Sequence, residues 1–280
     1  TMLARCIPGI LPDLTFEEAL EVTKIHSVAG VLSSEGIVGS RPFRAPHHTA
    51  SVVSLCGGGN ARIRPGEVSL AHRGVLFLDE LPEFSRVALE SLRQPIEDGA
   101  ITVARAGGVV RYPASFMLCA SMNPCPCGNY GSAIKECKCT PTDIRRYRAK
   151  ISGPLLDRID LQVEVDDVSY DDLVSKEEEE PSSAVKRRVE VAREIQRARF
   201  AGMGIVTNAE MREKESKRFC ALSPACEEVL RRSFERLHLS VRGRSRVIKV
   251  ARTIADLECE RDIAERHIYE AVSYRTYEQI

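Results

Sequence analysis

The chain has 280 residues, of which 43% are hydrophobic and 29% are charged, a composition typical of a globular protein with about two domains. Its 40 basic residues balance its 40 acidic ones, so the overall charge gives no argument for a nucleic-acid partner. No apolar run approaches the roughly 18 residues of a membrane helix, and the first residues lack the layout of a signal peptide. We therefore expect a cytoplasmic protein with no membrane partner.

The first half of the chain predicts helices that alternate with buried strands. Thr15 and Glu18 form a capping box that opens an amphipathic helix ending at Gly30. Residues 31–65 are rich in Gly, Ser, Pro and Arg with little periodicity, so we interpret them as a long insertion. Short apolar runs predict buried strands of a parallel sheet at 74–78, 116–120 and 161–165.

The second half changes in composition. A run of glutamates at 177–180, followed by proline, indicates a solvated linker. Beyond it the pattern is almost entirely helical, with N-caps expected at Asn208, Ser223 and Asp262. We therefore predict an α/β part over residues 1–178 and a small all-helical part over residues 179–280.

Two carboxylates follow the first of these predicted strands. Asp79 and Glu80 come directly after an apolar run, at the strand end where open α/β sheets bind their ligands. Hydrolysis of a phosphoanhydride needs such a pair, one acid for the Mg²⁺ shell and one for the attacking water. The alternative is a strand that simply ends in two solvated acids.

The residues around this pair carry a resemblance that covers almost the whole chain. They comprise PGEVSLAHRGVLFLDE at 65–80, RPFRAPHH at 41–48, the glycines 57–59 and NPCPCG at 123–128. The chain resembles the ComM/YifB branch of the magnesium-chelatase-like AAA+ ATPases. The resemblance implies an AAA+ α/β core with a parallel sheet and β-hairpin insertions, followed by a small all-helical lid domain.

The resemblance also implies roles for individual residues around ATP and Mg²⁺. Asp79 would support the Mg²⁺ ion and Glu80 would activate water. Asn123 is similar to sensor 1, an amide that positions water near the γ-phosphate; alternatively it is an Asx-turn residue before Pro124. The glycine-rich phosphate loop G-x-x-x-x-G-K-[ST] does not occur in the sequence. Thr1 resembles the last hydroxyl residue of that loop, a Mg²⁺ ligand. Because the chain lacks the glycines and the lysine of the loop, we expect weak or no ATP turnover by this chain alone.

Two arginines resemble parts of a ring-shaped motor. Arg158, within LLDRID at 155–160, resembles an arginine finger that stabilises charge on a neighbour's γ-phosphate. The resemblance therefore implies a homo-oligomeric ring, with six subunits expected; the alternative is an intrachain surface pair with Asp157. Arg242 resembles sensor 2, which reports the nucleotide state to the lid, although Arg246 competes for that role and a plain basic helix face is the other interpretation.

Four cysteines are crowded into a loop at 125–139. They form two C-x-C pairs separated by nine residues, which can close a tetrahedral sulfur site suited to structural Zn²⁺. Free thiols and an iron–sulfur cluster are the alternatives. The four residues are Cys125, Cys127, Cys137 and Cys139.

Residues 101–113 predict a β-hairpin with Gly107-Gly108 as its turn. By resemblance this is the pre-sensor-1 hairpin, which in related ring helicases points into the central channel. Arg105 and Arg111 flank the tip on opposite faces and can grip DNA phosphates without reading sequence.

Other basic side chains are further candidates for DNA contact. Adjacent His47 and His48 could suggest a metal, but no third ligand is evident nearby, so we expect a loop-contact or packing role. The remaining candidates are Arg41, Arg44, Arg62, Arg64, Arg145, Arg146, Arg148 and Lys150.

The sequence favours an ATP-driven hexameric DNA translocase or helicase that acts in recombination or DNA uptake. A second interpretation is a chelatase-type motor that remodels a protein partner during metal insertion into a porphyrin. A third is a protein-remodelling ATPase without a nucleic-acid substrate.

Overall fold

The computed structural model describes residues 1–32, 36–59, 63–105, 108–132, 134–165, 174 and 179–275. Two compact units are present: residues 1–158 form an α/β unit, and residues 159–165 together with 179–275 form a helical unit. The predicted boundary near residue 178 lies outside the described residues and stays a prediction.

The strands form one parallel sheet and two small antiparallel pairs. The parallel sheet has the order β1–β4–β7, β2 pairs with β3, and β5 pairs with β6. The strands of the described residues are β1 Phe43–Arg44, β2 Gly57–Gly58, β3 Arg64–Pro65, β4 Val75–Leu78, β5 Ala100–Arg105, β6 Gly108–Pro113 and β7 Met117–Ala120.

The central strand β4 is the most buried part of the sheet. Its four residues are at most 2% exposed, as expected for an apolar strand covered on both faces. Gly74 precedes it, where a Cβ atom would lie 2.0 Å from the Pro42 carbonyl oxygen, so only glycine fits. Phe43 of β1 stacks on Phe77 at 6.0 Å between ring centroids. The predicted strands at 74–78 and 116–120 are confirmed, whereas the region interpreted as an insertion contributes the sheet strand β1.

The predicted hairpin is confirmed as β5 and β6. Its register pairs Arg105 with Gly108, so Gly108 is a strand residue and not the second turn residue that was predicted. Ile101 and Val103 are buried against the core of the α/β unit, while Thr102 between them is exposed. This alternation fixes which face of the hairpin meets the core.

Eight helices of the described chain belong to the α/β unit. The second has the predicted capping box between Thr15 and Glu18 and ends at Gly30, whose φ of 74° is the left-handed conformation that glycine adopts readily. They are α1 Met2–Ile10, α2 Phe16–Ala29, α3 Val52–Cys56, α4 Glu67–Leu70, α5 Arg86–Ser91, α6 Arg93–Asp98, α7 Pro141–Arg148 and α8 Gly153–Leu156.

The helical unit has its own hydrophobic core. The predicted third strand at 161–165 is wrong, because these residues pack with the helical unit, where the Gln162 N–H donates to the Tyr274 carbonyl at 2.9 Å. Ser223 is an N-cap as predicted, whereas Ala264, not Asp262, precedes the last helix. Its described helices are α9 Ser182–Arg199, α10 Glu213–Phe219, α11 Pro224–Leu237, α12 Val241–Leu257 and α13 Glu265–Ser273.

A buried carboxylate joins α9 and α12. Asp256 is fully buried and accepts hydrogen bonds from Arg199 Nη1 at 2.7 Å and Arg252 Nε at 3.1 Å. Asn208, expected as an N-cap, instead lies in a 3-10 turn and donates its side-chain N–H to Asp256 at 2.8 Å. A buried charge is tolerated only when such partners satisfy it.

None of the helices in the described part of the chain is long and apolar enough to span a bilayer.

Candidate functional site

The carboxyl ends of β4 and β7 meet at one edge of the sheet. The two strands are parallel and pair Leu78 with Ala120, so the residues that follow them are neighbours. Ser121, directly after β7, donates its hydroxyl hydrogen bond to the Asp79 carboxylate, and its own carbonyl accepts from Leu81 N–H at 2.9 Å. The sheet edge thus holds the predicted Mg²⁺-supporting carboxylate in place.

Thr1 contacts the same carboxylate from another segment of the chain. Its hydroxyl donates to Asp79 Oδ2 at 2.6 Å. Hydrogen bonds from Ser121 and then Thr1 hold the pKa of Asp79 below its ordinary value, because they stabilise the ionised form. An ionised carboxylate beside a threonine hydroxyl is a donor set that suits a hard cation such as Mg²⁺.

Glu80 is the second predicted carboxylate. Its backbone is left-handed, with φ 53°, and its side chain is 57% exposed. The carboxylate oxygen Oε2 lies 3.3 Å from His48 Nδ1, in the segment between β1 and α3. Glu80 therefore combines an accessible carboxylate with one defined side-chain neighbour, as a proton acceptor for water requires.

Asn123 lies three residues after the end of β7, two residues beyond Ser121, and is exposed. A Cβ atom on Gly128 would lie 3.9 Å from its Cγ, so the start of the cysteine loop folds back beside it. The structure thus brings Thr1, Asp79 and Ser121 into contact and places Asn123 on the same strand extension.

The four predicted cysteines converge. Their sulfur atoms all lie within 4.8 Å of one another. The Sγ–Sγ distances are 3.4 Å between Cys125 and Cys127, and 3.7 Å from each of these to Cys137. A tetrahedral site with Zn–S bonds of about 2.3 Å requires sulfur separations of about 3.8 Å. The cluster therefore has dimensions that could hold a metal ion.

The cysteines differ in their protonation. Backbone hydrogen bonds from Asn129 and Lys138 lower the pKa of Cys127 to about 6, which favours its thiolate. A backbone hydrogen bond from Cys127 also lowers the pKa of Cys139, but desolvation and the neighbouring sulfurs outweigh it and raise that pKa to about 12. Crowded thiols cannot all ionise without a cation among them.

Arg158 is buried within the α/β unit. Its Nη2 lies 2.7 Å from Glu97 Oε2, and Nη1 donates to the Pro154 carbonyl at 2.6 Å. Glu97 is thus one intrachain partner of Arg158, whereas the alternative to the finger was a surface pair with Asp157. An arginine finger at this position would exchange its contact with Glu97 for a phosphate of the next subunit.

Arg242 and Arg246 lie in the first turns of α12, in the helical unit. Arg242 is exposed, whereas Arg246 forms an ion pair with Asp160. The nucleotide-sensing role of Arg242 stays a prediction.

The hairpin register pairs Arg105 with Gly108 and Arg111 with Thr102. Arg111 lies on the outward face and is exposed, and Arg105 is the last residue of β5. The side chain of Arg105 is outside the described residues.

Several of the other basic candidates are engaged within the described chain. On the surface, Arg146 pairs with Asp143 and Lys150 pairs with Glu83, while Arg148 donates to the Pro124 carbonyl. Arg41 is ion-paired with Glu18 at 3.0 Å and is largely buried, and Arg44 is paired with Glu67 at 2.6 Å. Both have a structural role in the described α/β unit, whereas Arg62 lies outside the described residues.

A sequence model for the family described as magnesium chelatase, subunit ChlI, matches residues 1–173, and a model for the ChlI C-terminal region matches residues 179–275. The chain belongs to the magnesium chelatase ChlI family. Its mixed α/β unit with a parallel sheet and its helical C-terminal region are consistent with the AAA+ fold of that family.

Individual ChlI-family relatives cover nearly the whole chain. It is 45% identical to the uncharacterized protein YifB of Escherichia coli over 282 residues, 100% of the chain and 54% of YifB. It is 43% identical to the competence protein ComM of Haemophilus influenzae over 276 residues, 98% of the chain and 53% of ComM. The predicted resemblance to the ComM/YifB branch is confirmed, and the chain spans about half the length of these relatives.

A more distant ChlI-family relative is the magnesium-chelatase 67 kDa subunit of Chlorobaculum parvum. It is 28% identical over 124 residues, which is 44% of this chain and 17% of that subunit. This similarity is weaker and shorter than that to ComM and YifB.

Sequence reasoning missed two side chains at this ChlI-family site. Ser121 was not singled out, although a hydroxyl directly after the strand next to β4 is a detectable signal. His48 was grouped with the candidates for DNA contact and expected to have a loop-contact or packing role, and its pairing with Glu80 depends on how the chain between β1 and α3 folds. No local pattern in the sequence indicates that contact.

Proposed function

We propose that the intact protein is an ATP-driven ring motor that translocates along DNA. The observation that carries the proposal is the cluster of Asp79, Thr1 and Ser121 at the ends of two parallel strands, with the accessible Glu80 beside it. Such a strand end is where an α/β sheet binds nucleotides. Membership of the ChlI family supports the use of ATP and Mg²⁺.

In this proposal each residue has one task. Asp79 and the Thr1 hydroxyl hold Mg²⁺, which neutralises phosphate charge when bound. Glu80 accepts a proton from the attacking water, and Asn123 orients that water by hydrogen bonding. These assignments agree with the ionised state of Asp79 and the exposure of Glu80 and Asn123.

In this proposal the subunits form a ring, in which each ATP site is completed by a residue of the neighbouring subunit. Arg158 of one subunit stabilises charge on the γ-phosphate held by the next, and Arg242 senses the nucleotide from the helical unit. We propose a homo-hexamer. The pair between the buried Arg158 and the exposed Glu97 keeps the guanidinium ordered until a phosphate replaces the carboxylate.

DNA is the proposed substrate because the hairpin carries Arg105 and Arg111 at its tip and outward face. The similarity to a competence protein, ComM, supports this choice over other polymers. Arginines on a hairpin grip phosphates without reading bases, as a translocase requires.

We expect single-stranded DNA to stimulate the ATPase of the intact protein, and Arg105→Ala or Arg111→Ala to remove most of that stimulation. Each lost phosphate contact should also reduce the slope of log affinity against log salt concentration by about 1. ATPase rates with and without DNA, and DNA binding over a salt series, measure both effects.

The matched control is Arg231→Ala, which removes an exposed arginine paired with Glu228 and Glu235 in the helical unit. It should leave the stimulation unchanged. If DNA does not stimulate the ATPase of the wild-type protein, the second candidate function is favoured. That function is a chelatase-type or protein-remodelling motor, which the family description and the similarity to the 67 kDa subunit support.

We propose that the cysteine cluster holds a structural Zn²⁺ ion. The three sulfur distances of 3.4, 3.7 and 3.7 Å fit a tetrahedral sulfur site. The ion would stabilise a loop with little apolar core and fix its start next to Asn123. Four reduced cysteines require a reducing compartment, which agrees with the cytoplasmic location predicted from the sequence.

We expect the purified protein to contain about one zinc ion per chain, and Cys125→Ser or Cys139→Ser to lose it and melt at a lower temperature. Elemental analysis and thermal denaturation test this. Cys6→Ser, at an exposed cysteine outside the cluster, should retain the metal. Full zinc occupancy in both cluster variants, or iron in place of zinc, would contradict the proposal.

A further inference from the structure

Glu97 and Arg158 form an ion pair whose two members differ in exposure. The distance between Arg158 Nη2 and Glu97 Oε2 is 2.7 Å, and the two side chains are 4% and 41% exposed. The carboxylate is therefore the solvent-facing member of the pair. A second anion that approaches the guanidinium from solvent must compete with this carboxylate for the same N–H donors.

The guanidinium is also bonded to its own turn. Arg158 Nη1 donates to the Pro154 carbonyl at 2.6 Å, and the backbone N–H of Arg158 donates to the Leu155 carbonyl at 2.9 Å. Leu155 is 1% exposed and anchors this turn in the core of the α/β unit. These bonds stay within one turn, whereas the contact with Glu97 joins the arginine to a different helix. A charge buried to this degree needs an anionic partner, so Glu97 can be exchanged for a phosphate more readily than for water.

Glu97 lies where α6 leads into the hairpin. It is the last but one residue of α6, and β5 begins three residues after it. Between them, the N–H of Gly99 donates to the Pro95 carbonyl at 3.0 Å, and the Gly99 carbonyl accepts from the Ala114 N–H at 2.8 Å. Ala114 directly follows β6, so the base of the hairpin is bonded to the end of the helix that carries Glu97. A movement of the hairpin base therefore displaces Glu97 as well.

We propose that Glu97 is a positioning residue that holds Arg158 back from the ATP of the neighbouring subunit until DNA displaces the hairpin. This inference rests on the proposed function, in which the hairpin arginines bind DNA and Arg158 acts in trans. Without DNA, the Glu97 carboxylate competes with the γ-phosphate for the guanidinium. When DNA binds the hairpin, α6 and Glu97 move with it, and the guanidinium is released to the phosphate. The ion pair thereby makes ATP hydrolysis depend on DNA.

The test measures kcat for MgATP hydrolysis by the intact protein, with and without single-stranded DNA, in the variant Glu97→Gln. Glutamine keeps a carbonyl acceptor for Arg158 and removes the negative charge. We expect kcat without DNA to rise about threefold or more, because the guanidinium no longer has to leave a carboxylate. The ratio of the rates with and without DNA should fall toward one. The affinity for DNA should stay within about twofold of the wild type, because the hairpin arginines are unchanged.

A gain in rate distinguishes this role from a structural one. If Glu97 only stabilised the fold, its replacement would lower the melting temperature or the rate and would not raise kcat. The gain must also act through Arg158, so Glu97→Gln should change kcat less than about twofold in an Arg158→Ala background. The matched control is Glu90→Gln, which removes a carboxylate of α5 that pairs with Arg93 at 2.8 Å. It should leave both rates unchanged.

The outcomes separate this inference from the proposed function. If Arg158→Ala hydrolyses ATP at the wild-type rate, or if DNA does not stimulate the wild-type protein, the proposed function fails and the role of Glu97 fails with it. If Arg158→Ala is impaired and DNA stimulates the wild type, but Glu97→Gln shows no gain without DNA, only the role of Glu97 is wrong. A gain that persists in the Arg158→Ala background would contradict that role in the same way.

Discussion

Replacing Glu80 by Gln should lower the kcat for MgATP hydrolysis of the intact protein by about 100-fold or more, while ATP still binds. Glutamine keeps the size of the side chain, but it cannot take a proton from water. General-base catalysis typically contributes about 10²–10⁴-fold to a rate. A steady-state ATPase assay measures kcat, and a fluorescent ATP analogue measures binding.

The matched control is Glu83→Gln, an exposed glutamate three positions further along the chain. Glu83 pairs with Lys150 at 3.1 Å on the surface of the α/β unit. Its replacement should leave kcat nearly unchanged, because exposed ion pairs contribute little. An equal loss in both variants would show that the effect on Glu80 is not specific to water activation.

Replacing Asp256 by Ala should destabilise the helical unit by about 3–5 kcal/mol, the usual cost of removing one partner of a buried ion pair. The substitution leaves Arg252, itself 2% exposed, and Arg199 without the carboxylate that both contact. Urea denaturation of the chain measures the loss, and hydrogen–deuterium exchange should place it in α9 and α12.

Two further variants calibrate that result. Asp256→Asn keeps the shape and one acceptor, so it should be less destabilising than Ala. Glu228→Ala removes an exposed carboxylate that pairs with Arg231 and Arg232, and it should leave the urea midpoint almost unchanged. A wild-type midpoint for Asp256→Ala would contradict the structural role assigned to the buried network.

Much of the sheet edge could be predicted because its signals are local. An apolar run that ends in Asp79-Glu80, and a second run that ends before Ser121, each predict a strand without knowledge of the partner. Parallel pairing then places their ends together. The capping box of α2 is a local signal of the same kind and was predicted correctly.

The errors arose where long-range packing decided the conformation. The apolar residues at 161–165 alternate like a strand, but their neighbours are in the helical unit and no sheet edge receives them. Asn208 has the sequence context of a helix cap, yet the buried Asp256, 48 positions away, takes its side-chain N–H. Strand β1 is only two residues long, too short for any periodic pattern.

For the predicted site residues, too, local signals could be read from the sequence and long-range contacts could not. The four cysteines were predicted from their spacing, because two C-x-C pairs in one short loop lie close to each other in space. The pairing of Arg158 with Glu97 was missed, because 61 residues separate the two in sequence and neither lies in a motif that names the other.

Asn123 is anchored at both ends by short, stiff pieces of chain. On one side, the N–H of Ser121 is bonded to the Leu78 carbonyl in the sheet ladder, at 3.0 Å. On the other, only Pro124 separates it from Cys125, and proline restricts both its own φ and the residue before it. The Asn123 side-chain amide therefore lies on a short, conformationally restricted segment between strand β7 and the cysteine cluster. A displacement of the cysteine cluster by even an ångström would therefore move the Asn123 amide as well, because the segment between them is too short to adjust.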